Sequence, residues 1–517
     1  MDMKHRVVLF LASLLICWSG VAHADPADIS AAARSVVRVV LVSEYGGEPS
    51  LVGHGSGFAV SSNLILTNAH VVEPSNAGEE IRIGVVPSQG EGGWFARIVA
   101  FSRQKDLALL ELTEPGALPA VTFYTGAVSD GADVFAVGYP GNVDLAQGLN
   151  VGDIVSPTSP VKTRGNVSSG RSSRQFETIL HNAAIGGGNS GGPLLDACGR
   201  VVGANTFGTI SNGTDSEFYF AVSTREIMRF LRKADAAPLT SGIACRSMAA
   251  LEREEAERQA DAKAMSREEA LAAEEAERIA KEDARHQALF AIIDERENFL
   301  ALACLALVLA LGAGGAAFYL RENARGRDAR LAATLSGLLA IGAVAAWALR
   351  PSFADVNSRA EALARNGGTA ERPLAQSGPL SGKLVCTLDL GRSRVTVSDV
   401  SDVQLNWRED GCADGTSQFV PESGGWTRVM LVDSNDSATV ASFDPASGQY
   451  RADNYFPDLD VMTQLRAKEQ EIKAPACGGG ERALDEFAAA QTALAALLPD
   501  TMNERLVYNC RATKQGS

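Results

Sequence analysis

Three kinds of hydrophobic pattern follow one another along this chain, and each predicts a different kind of element. Between residues 30 and 235 the apolar positions come as short β-branched runs separated by Gly, Asn and Asp. Val36–Val42, Gly57–Ser61, Ile81–Val86, Leu107–Leu112, Asp133–Val137, Val201–Ala204 and Phe218–Val222 are examples. Short strands at regular spacing predict an all-β barrel or sandwich, closed by a helix over Thr224–Lys233. From Ile243 to Leu311 there is neither Gly nor Pro, and Leu251–Asn298 holds 23 charged residues in 48, with 12 alanines. Glu254/Arg258, Glu274/Arg278 and Glu277/Lys281 are i,i+4 pairs in the favoured orientation, so a helix of about 72 Å is expected, a stalk rather than a coiled coil because its apolar positions are mostly Ala.

The third pattern is uniform apolarity. Phe299–Leu320 and Leu331–Leu349 would span about 33 Å and about 28 Å as helices, each close to the thickness of a bilayer core. The intervening Arg321–Arg330 carries four arginines against two acids, which places that loop in the cytoplasm. At the N-terminus Lys4, His5 and Arg6 precede an apolar run from Val7 to Trp18, and Ala22-His23-Ala24 is a small-x-small cleavage pattern. That is the form of a secretory signal peptide. The two signals agree on one topology, with everything before residue 299 and after residue 349 outside the cytoplasm.

Past the second span, Lys383–Leu390, Ser393–Val400, Val403–Trp407, Trp426–Val432 and Thr439–Phe443 read as strands, and Asp460–Ile472 and Arg482–Leu498 as helices. The expected division is a signal peptide over 1–24, a β domain over 28–235 and a charged stalk over 246–298. Spans at 299–320 and 331–349 follow, joined by a loop over 321–330, then a polar linker over 351–379 and a small α+β domain over 380–513.

Charge and cysteine content sharpen this picture. The chain of 517 residues has 47 Lys and Arg against 62 Asp and Glu, a formal net charge of −15, which disfavours nucleic acid as a partner. Much of the excess sits in the stalk, with 15 acidic and 8 basic residues over Leu251–Asn298. Of eight cysteines, Cys198, Cys245, Cys386, Cys412, Cys477 and Cys510 fall on the extracytoplasmic side, where disulfides persist. No C-x-x-C pair or nearby His suggests a metal, so neither metal nor cofactor is expected. Cys198 and Cys245 could tie the β domain to the stalk; the other four leave three connectivities open.

Three motifs in the β region carry chemistry. They are Ser56-Gly57-Phe58-Ala59-Val60 followed by Leu66-Thr67-Asn68-Ala69-His70-Val71-Val72, Lys105-Asp106-Leu107-Ala108-Leu109-Leu110, and Gly187-Gly188-Asn189-Ser190-Gly191-Gly192-Pro193-Leu194-Leu195. A serine hydroxyl attacks poorly near neutral pH unless an imidazole takes its proton, and a carboxylate orients and stabilises that imidazole. Glycines around the serine let the backbone turn sharply and aim N–H groups at a developing oxyanion. Each motif alone is a turn, a core histidine or a strand cap more often than a catalytic group. All three in the order His70, Asp106, Ser190 are not. His54 and His181 have no partner at ligand spacing and read as structural or surface histidines.

With these residues in view the sequence resembles the trypsin-like (chymotrypsin-fold) serine proteases, and most closely their HtrA/Deg branch. Thr67-Asn68-Ala69-His70-Val71-Val72, Asp106-Leu107-Ala108-Leu109-Leu110, Gly165-Asn166-Val167-Ser168 and Ala183-Ala184-Ile185 followed by Gly188–Pro193 match its motifs across about residues 30–233. The resemblance implies two six-stranded antiparallel β-barrels with the active site between them. It also implies Ser190 as nucleophile, His70 as general base, Asp106 as its orienting acid, and the N–H groups of Gly188 and Ser190 as the oxyanion hole. The pocket base would fall at Ala184, with Phe207 narrowing it toward small or apolar side chains. Stalk and spans stand where the family has PDZ domains, Asn182 stands where it usually has Asp, Asn142–Ser159 looks inserted, and the Gly186–Gly188 run is loose enough to leave the oxyanion hole unformed until ligand binds.

The expected function is therefore a membrane-tethered endopeptidase of the inner membrane, its folded domains on the periplasmic side. It would act on protein or peptide substrates in envelope quality control or regulated proteolysis, with room for an oligomer and for an envelope partner on the C-terminal domain. The competing expectation is a protease fold used as a non-catalytic binding or sensing module together with that domain.

Overall fold

The structure, a computed structural model, describes residues 26–43, 50–76, 81–116, 118–172, 176–209, 216–323, 325–367, 379–398, 400–422, 424–433 and 436–513. The expected signal peptide lies outside the described residues.

A helix, α1 (Pro26–Ala33), leads into β1 (Val36–Ser43), β2 (Ser50–Ala59), β3 (Leu64–Thr67), helix α2 (Ala69–Asn76), β4 (Ile81–Val86), β5 (Trp94–Ser102) and β6 (Leu107–Leu112). The six strands pair antiparallel in the order β1-β2-β3-β6-β5-β4 and close into a barrel. Alternate residues point inward as the strand period of two requires. Val37, Val39 and Leu41 of β1 meet Ile83 and Val85 of β4 and Ala108 and Leu110 of β6 in one buried cluster.

The second half contains β7 (Thr122–Tyr124), β8 (Asp133–Gly138), short helices α3 (Gly141–Gln147) and α4 (Val151–Ile154), β9 (Val161–Ser172), β10 (Glu177–His181), β11 (Pro193–Asp196), β12 (Val201–Gly208), β13 (Tyr219–Ser223), helix α5 (Thr224–Lys233) and β14 (Leu239–Ser241). Here β11-β8-β9-β10-β13-β12 form a ring closed by β11 pairing with β12, and β7 and β14 extend it as parallel additions beyond β12. The two expected six-stranded barrels are both present. They share a core in which Phe58 and Leu66 of the first barrel pack with Phe123, Val137, Leu195 and Val222 of the second. Helix α5 is capped by Ser223, whose hydroxyl accepts from the Glu226 N–H, and it buries Ile227, Phe230 and Leu231.

Met248–Glu322 is a single helix, α6, and Gly326–Ala348 a second, α7. Glu277 and Lys281 pair at 2.6 Å as expected, whereas Arg278 reaches Glu275 and Glu282 instead of Glu274. By length and composition two helices are apolar enough to cross a membrane. The segment read as a polar linker is not structureless, because a 3-10 turn at Phe353–Asp355 leads into helix α8 (Val356–Gly367). Val356 of α8 packs on Ala288 and Ile292 of α6, and Arg359 pairs with Glu295 at 2.9 Å, contacts that a reading of local polarity does not foresee.

The C-terminal region is α+β, as expected, but with more strands. β15 (Gly382–Leu388), β16 (Val403–Trp407), β17 (Cys412–Ala413), β18 (Ser417–Gln418), β19 (Val420–Glu422), β20 (Gly425–Val432), β21 (Ser437–Asp444), β22 (Gln449–Tyr455) and β23 (Glu504–Ala512) form one sheet in the order β18-β17-β16-β15-β23-β22-β21-β20-β19. Helices α9 (Leu459–Glu471) and α10 (Glu481–Ala495) pack on it through Met462, Leu465 and Leu494. Trp407 is buried among Phe419, Trp426 and Phe443. Of Ser393–Val400, read as a strand, the described residues make only an isolated bridge, Arg394 to Arg505. The Glu504 carboxylate accepts hydrogen bonds from the backbone N–H groups of Thr396, Val397 and Ser398, taking the donors a ladder would need. The disulfides are Cys198–Cys245, Cys386–Cys510 and Cys412–Cys477, which settles the open connectivities.

The chain divides into two compact units, Met1–Glu255 with Ser377–Ser517, and Ala256–Gln376. Within the first unit the C-terminal sheet is docked on the barrels. Asp28 of α1, fully buried, pairs with Arg394, whose Nε donates to the carbonyl of Arg246 at 2.6 Å. Asn503 reaches the other Asp28 oxygen at 3.2 Å, and Arg34 donates to the Asp436 carbonyl at 2.7 Å.

Candidate active site

Each motif of the sequence ends up at an edge or a turn beside the junction of the barrels. β3 ends at Thr67, and His70 follows in the first turn of α2. β5 turns into β6 at Asp106, which adopts a left-handed backbone (φ 52°), a conformation that Asp tolerates better than most residues. Three contacts hold Asp106 to the His70 segment. Its carboxylate accepts from His70 Nδ1 at 2.9 and 3.0 Å and from the His70 backbone N–H at 3.1 Å, and its carbonyl accepts from Asn68 Nδ2 at 2.8 Å. The imidazole is half exposed, at 49%. Nδ1 is a donor here, which leaves Nε2 as the proton acceptor.

Ser190 sits between β10 and β11. Its hydroxyl donates to the carbonyl of Thr206 at 3.0 Å, and among the described residues no hydrogen bond joins it to His70. Thr206 is the residue that connects the two halves, because its own hydroxyl donates to the Asp106 carboxylate. It lies at an irregularity of β12, where the register with β13 shifts between Asn205 and Phe207, so its carbonyl is turned out of the ladder. Nothing in the sequence around Thr206 marked it as part of the site; only the pairing of β12 does.

The nucleophile turn is held at almost every carbonyl. Gly186 accepts from the Asn189 N–H at 3.0 Å, Gly187 from Gly141 at 2.8 Å, Gly188 from the Ser56 hydroxyl at 2.7 Å, and Asn189 from Gly192 at 3.0 Å. In a trans peptide the N–H points opposite to the C=O. The Gly188 and Ser190 N–H groups therefore face away from these anchors, and among the described residues neither has a hydrogen-bond partner. Gly188 (φ +103°) has no room for a side chain, since an added Cβ would lie 2.3 Å from the Tyr139 carbonyl and 2.9 Å from His54 Nε2. The Gly186–Gly188 run, expected to be loose, is pinned.

Ala184 is exposed on the turn leading to this loop, and its carbonyl accepts from the Thr163 hydroxyl at 2.6 Å. Phe207 is 46% exposed and stacks on Phe220 with ring centroids 4.8 Å apart. Both are uncharged. The two other histidines of the barrels, His181 and His54, are not surface groups. His181 is fully buried, and burial pushes its pKa down to about 4. His54 lies behind the nucleophile turn, its Nε2 3.2 Å from the Tyr139 carbonyl and 3.4 Å from Asp144 Oδ2. Burial lowers its pKa, as does Arg38, against the opposing pull of the Tyr139 carbonyl and Asp144, so it is neutral near pH 7. Among the described residues there is no cluster of His, Cys, Asp and Glu that could hold a metal ion.

This geometry can perform acyl transfer: a hydroxyl, an imidazole oriented by a carboxylate, and two free N–H groups on the hydroxyl's own turn. Comparison with known proteins points the same way. Residues 55–203 match the model of the trypsin-like peptidase domain. The chain is 33% identical over 206 residues to serine protease HTRA1A of Danio rerio, covering 39% of each protein. It is 30% identical over 236 residues to serine protease Rv3671c of Mycobacterium tuberculosis, covering 44% of this chain and 53% of that one. It is 35% identical over 163 residues to the putative serine protease HhoA of Synechocystis, covering 31% and 38%. The chain thus spans between about two fifths and one half of the length of these relatives. The matching stretch is a trypsin-like peptidase domain of the HtrA type.

Proposed function

We propose that the protein is a membrane-tethered serine endopeptidase in which Ser190 attacks the scissile carbonyl. His70 takes the serine proton and returns it to the leaving amine, and Asp106 fixes the imidazole and stabilises its charged form. The Gly188 and Ser190 N–H groups receive the oxyanion. The observation that carries this reading is the chain of contacts from Ser190 through Thr206 to Asp106 and His70. Proton transfer requires the Ser190 hydroxyl to leave the Thr206 carbonyl for His70 Nε2. An uncharged Ala184 and a stacked Phe207 favour small or apolar residues before the scissile bond.

The membrane part of the proposal rests on the apolar stretches of α6 and α7. Its sidedness rests on the docking of Arg394 onto Asp28. Segments before α6 and after α7 meet in one buried interface, which requires both on the same face of a membrane, and the disulfides favour the extracytoplasmic one. Envelope quality control or regulated proteolysis fits such a location.

A fluorophosphonate probe tests the chemistry. Full-length protein in detergent should be labelled and Ser190→Ala should not. Equal labelling of the two, with and without an apolar peptide, would leave the non-catalytic reading, in which the fold and the C-terminal sheet serve to bind a partner.

A further inference from the structure

The Gly187–Gly188 peptide owes its orientation to a helix that belongs to neither barrel's strands. The Gly187 carbonyl accepts from the N–H of Gly141, the first residue of α3. The first N–H groups of a helix have no intrahelical partner, so this donor is available without loss to the helix. Wherever α3 sits, the Gly188 N–H is set in the opposite direction.

What fixes α3 is ionic. Asp144, one turn along, is only 7% exposed although Leu145 beside it is 81% exposed. Its Oδ1 accepts from Arg38 Nη2 at 3.0 Å, and its Oδ2 faces His54 Nε2 at 3.4 Å with no hydrogen-bond donor among the described residues. Arg38 comes from β1 and His54 from β2, so the ionic grip on Asp144 and the neutral ring lying beside it both belong to the first barrel. The same guanidinium donates to the carbonyl of Ile154 at the end of α4 at 3.2 Å and lies 4.6 Å over the Tyr139 ring. The His54 ring in turn occupies the space a side chain at Gly188 would need, its Nε2 2.9 Å from where a Cβ would stand. One arginine thus ties both short helices of the 141–154 segment to the opposite barrel, directly behind the nucleophile turn.

A buried ion pair is a poor device for stability alone, since apolar residues of similar volume often serve as well. It is a good device for fixing one geometry. Resting on the protease reading above, we infer that Asp144, with Arg38 and His54, is a positioning residue of the oxyanion hole. It touches no reacting atom. It holds α3 so that Gly141 anchors Gly187 and the Gly188 N–H stays aimed at the oxyanion.

The test uses the full-length protein in detergent, an apolar chromogenic peptide and a peptide boronate of the same sequence, which mimics the tetrahedral intermediate. Asp144→Ala should lower kcat by about 10- to 100-fold, short of the loss seen when an oxyanion donor is deleted outright, while KM moves by less than about 3-fold. Boronate affinity should fall by the same factor as kcat/KM, because both report transition-state binding. Leu145→Ser, on the exposed side of the same helix, should leave all three unchanged. Should Asp144→Ala fail to fold, the pair Arg38→Met with Asp144→Leu removes the clamp without stranding a charge and should show the same split. Either folded variant with wild-type kcat and boronate affinity overturns the inference and leaves the protease reading standing. A wild type that neither hydrolyses the peptide nor takes up fluorophosphonate overturns both.

Discussion

His181 shows what a single buried group does to the pH response of this fold. It ends β10 with no exposed surface, its ring 6.0 Å from that of Tyr219, and burial holds its pKa near 4 against an ordinary 6.5. A base whose folded pKa is depressed binds its proton more readily in the unfolded chain, so folding stability is complete above about pH 6.5 and declines as pH falls toward 4. At about 1.4 kcal/mol per unit, the loss across that window is about 3 kcal/mol. Chemical denaturation at pH 7 and pH 4.5 should show this slope in the wild type, and His181→Phe should flatten it by that amount. An unchanged slope in the variant would assign the acid lability to other groups. The motif around His70 sets it apart in the sequence, but nothing local separates His181 from His54. One is buried against a ring, one sits beside the Arg38–Asp144 pair, and one is half exposed on Asp106, and those differences exist only once distant strands have met.

At the scale of elements, the nucleophile turn is where sequence and structure agree most closely. Its glycines were legible as a sharp turn, and the backbone explains two of them. Gly191 (φ +86°) would place a Cβ 2.2 Å from the Ser56 carbonyl and 2.3 Å from Thr67 Oγ1, so Gly191→Ala combines backbone strain with overlap. It should cost about 3 kcal/mol or more, read by chemical denaturation, with probe labelling falling alongside. Gly170→Ala in β9 meets nothing within 4 Å and should be neutral within about 0.5 kcal/mol. A similar loss for both would mean that the turn is no more constrained than an ordinary strand. The anchoring role of Ser56, Gly141 and Thr206 was not legible, because they lie 134, 49 and 16 residues from Ser190; Ser56 stood in a motif, but nothing there tied it to the nucleophile turn.

Across the whole molecule, the unexpected feature is the partnership between the barrels and the C-terminal sheet. Its centre is a fully desolvated pair, Asp28 with Arg394, bounded by Asn503, the Arg246 carbonyl and the hydrogen bond from the Thr122 hydroxyl to Val397 at 2.8 Å. Breaking one partner of such a pair strands a buried charge and costs about 3–5 kcal/mol, whereas removing both costs far less. Arg394→Met should therefore expose the interface to proteolysis and hydrogen exchange over α1 and residues 393–398, and adding Asp28→Leu should restore much of the protection. Protection unaltered in Arg394→Met would show that the two parts hold together without this pair. The disulfide Cys198–Cys245 sits at the same seam, since Arg246 beside it also donates to the carbonyls of Gly391 and Ser393 at 2.8 and 3.2 Å.

What the sequence determined by itself was whatever depends on neighbours along the chain. The apolar runs of β1 and β6, the Gly- and Pro-free start of α6, the apolar lengths of α6 and α7, and the motifs around His70, Asp106 and Ser190 are all local, because periodicity and turn chemistry act over a few residues. Only the tertiary structure decided the Thr206 link, the ionic hold on α3, the pairing of six cysteines and the seam between Asp28 and Arg394. Each is a contact between residues far apart in sequence, and a buried charge or hydroxyl carries no mark of its partner until the fold removes water from both.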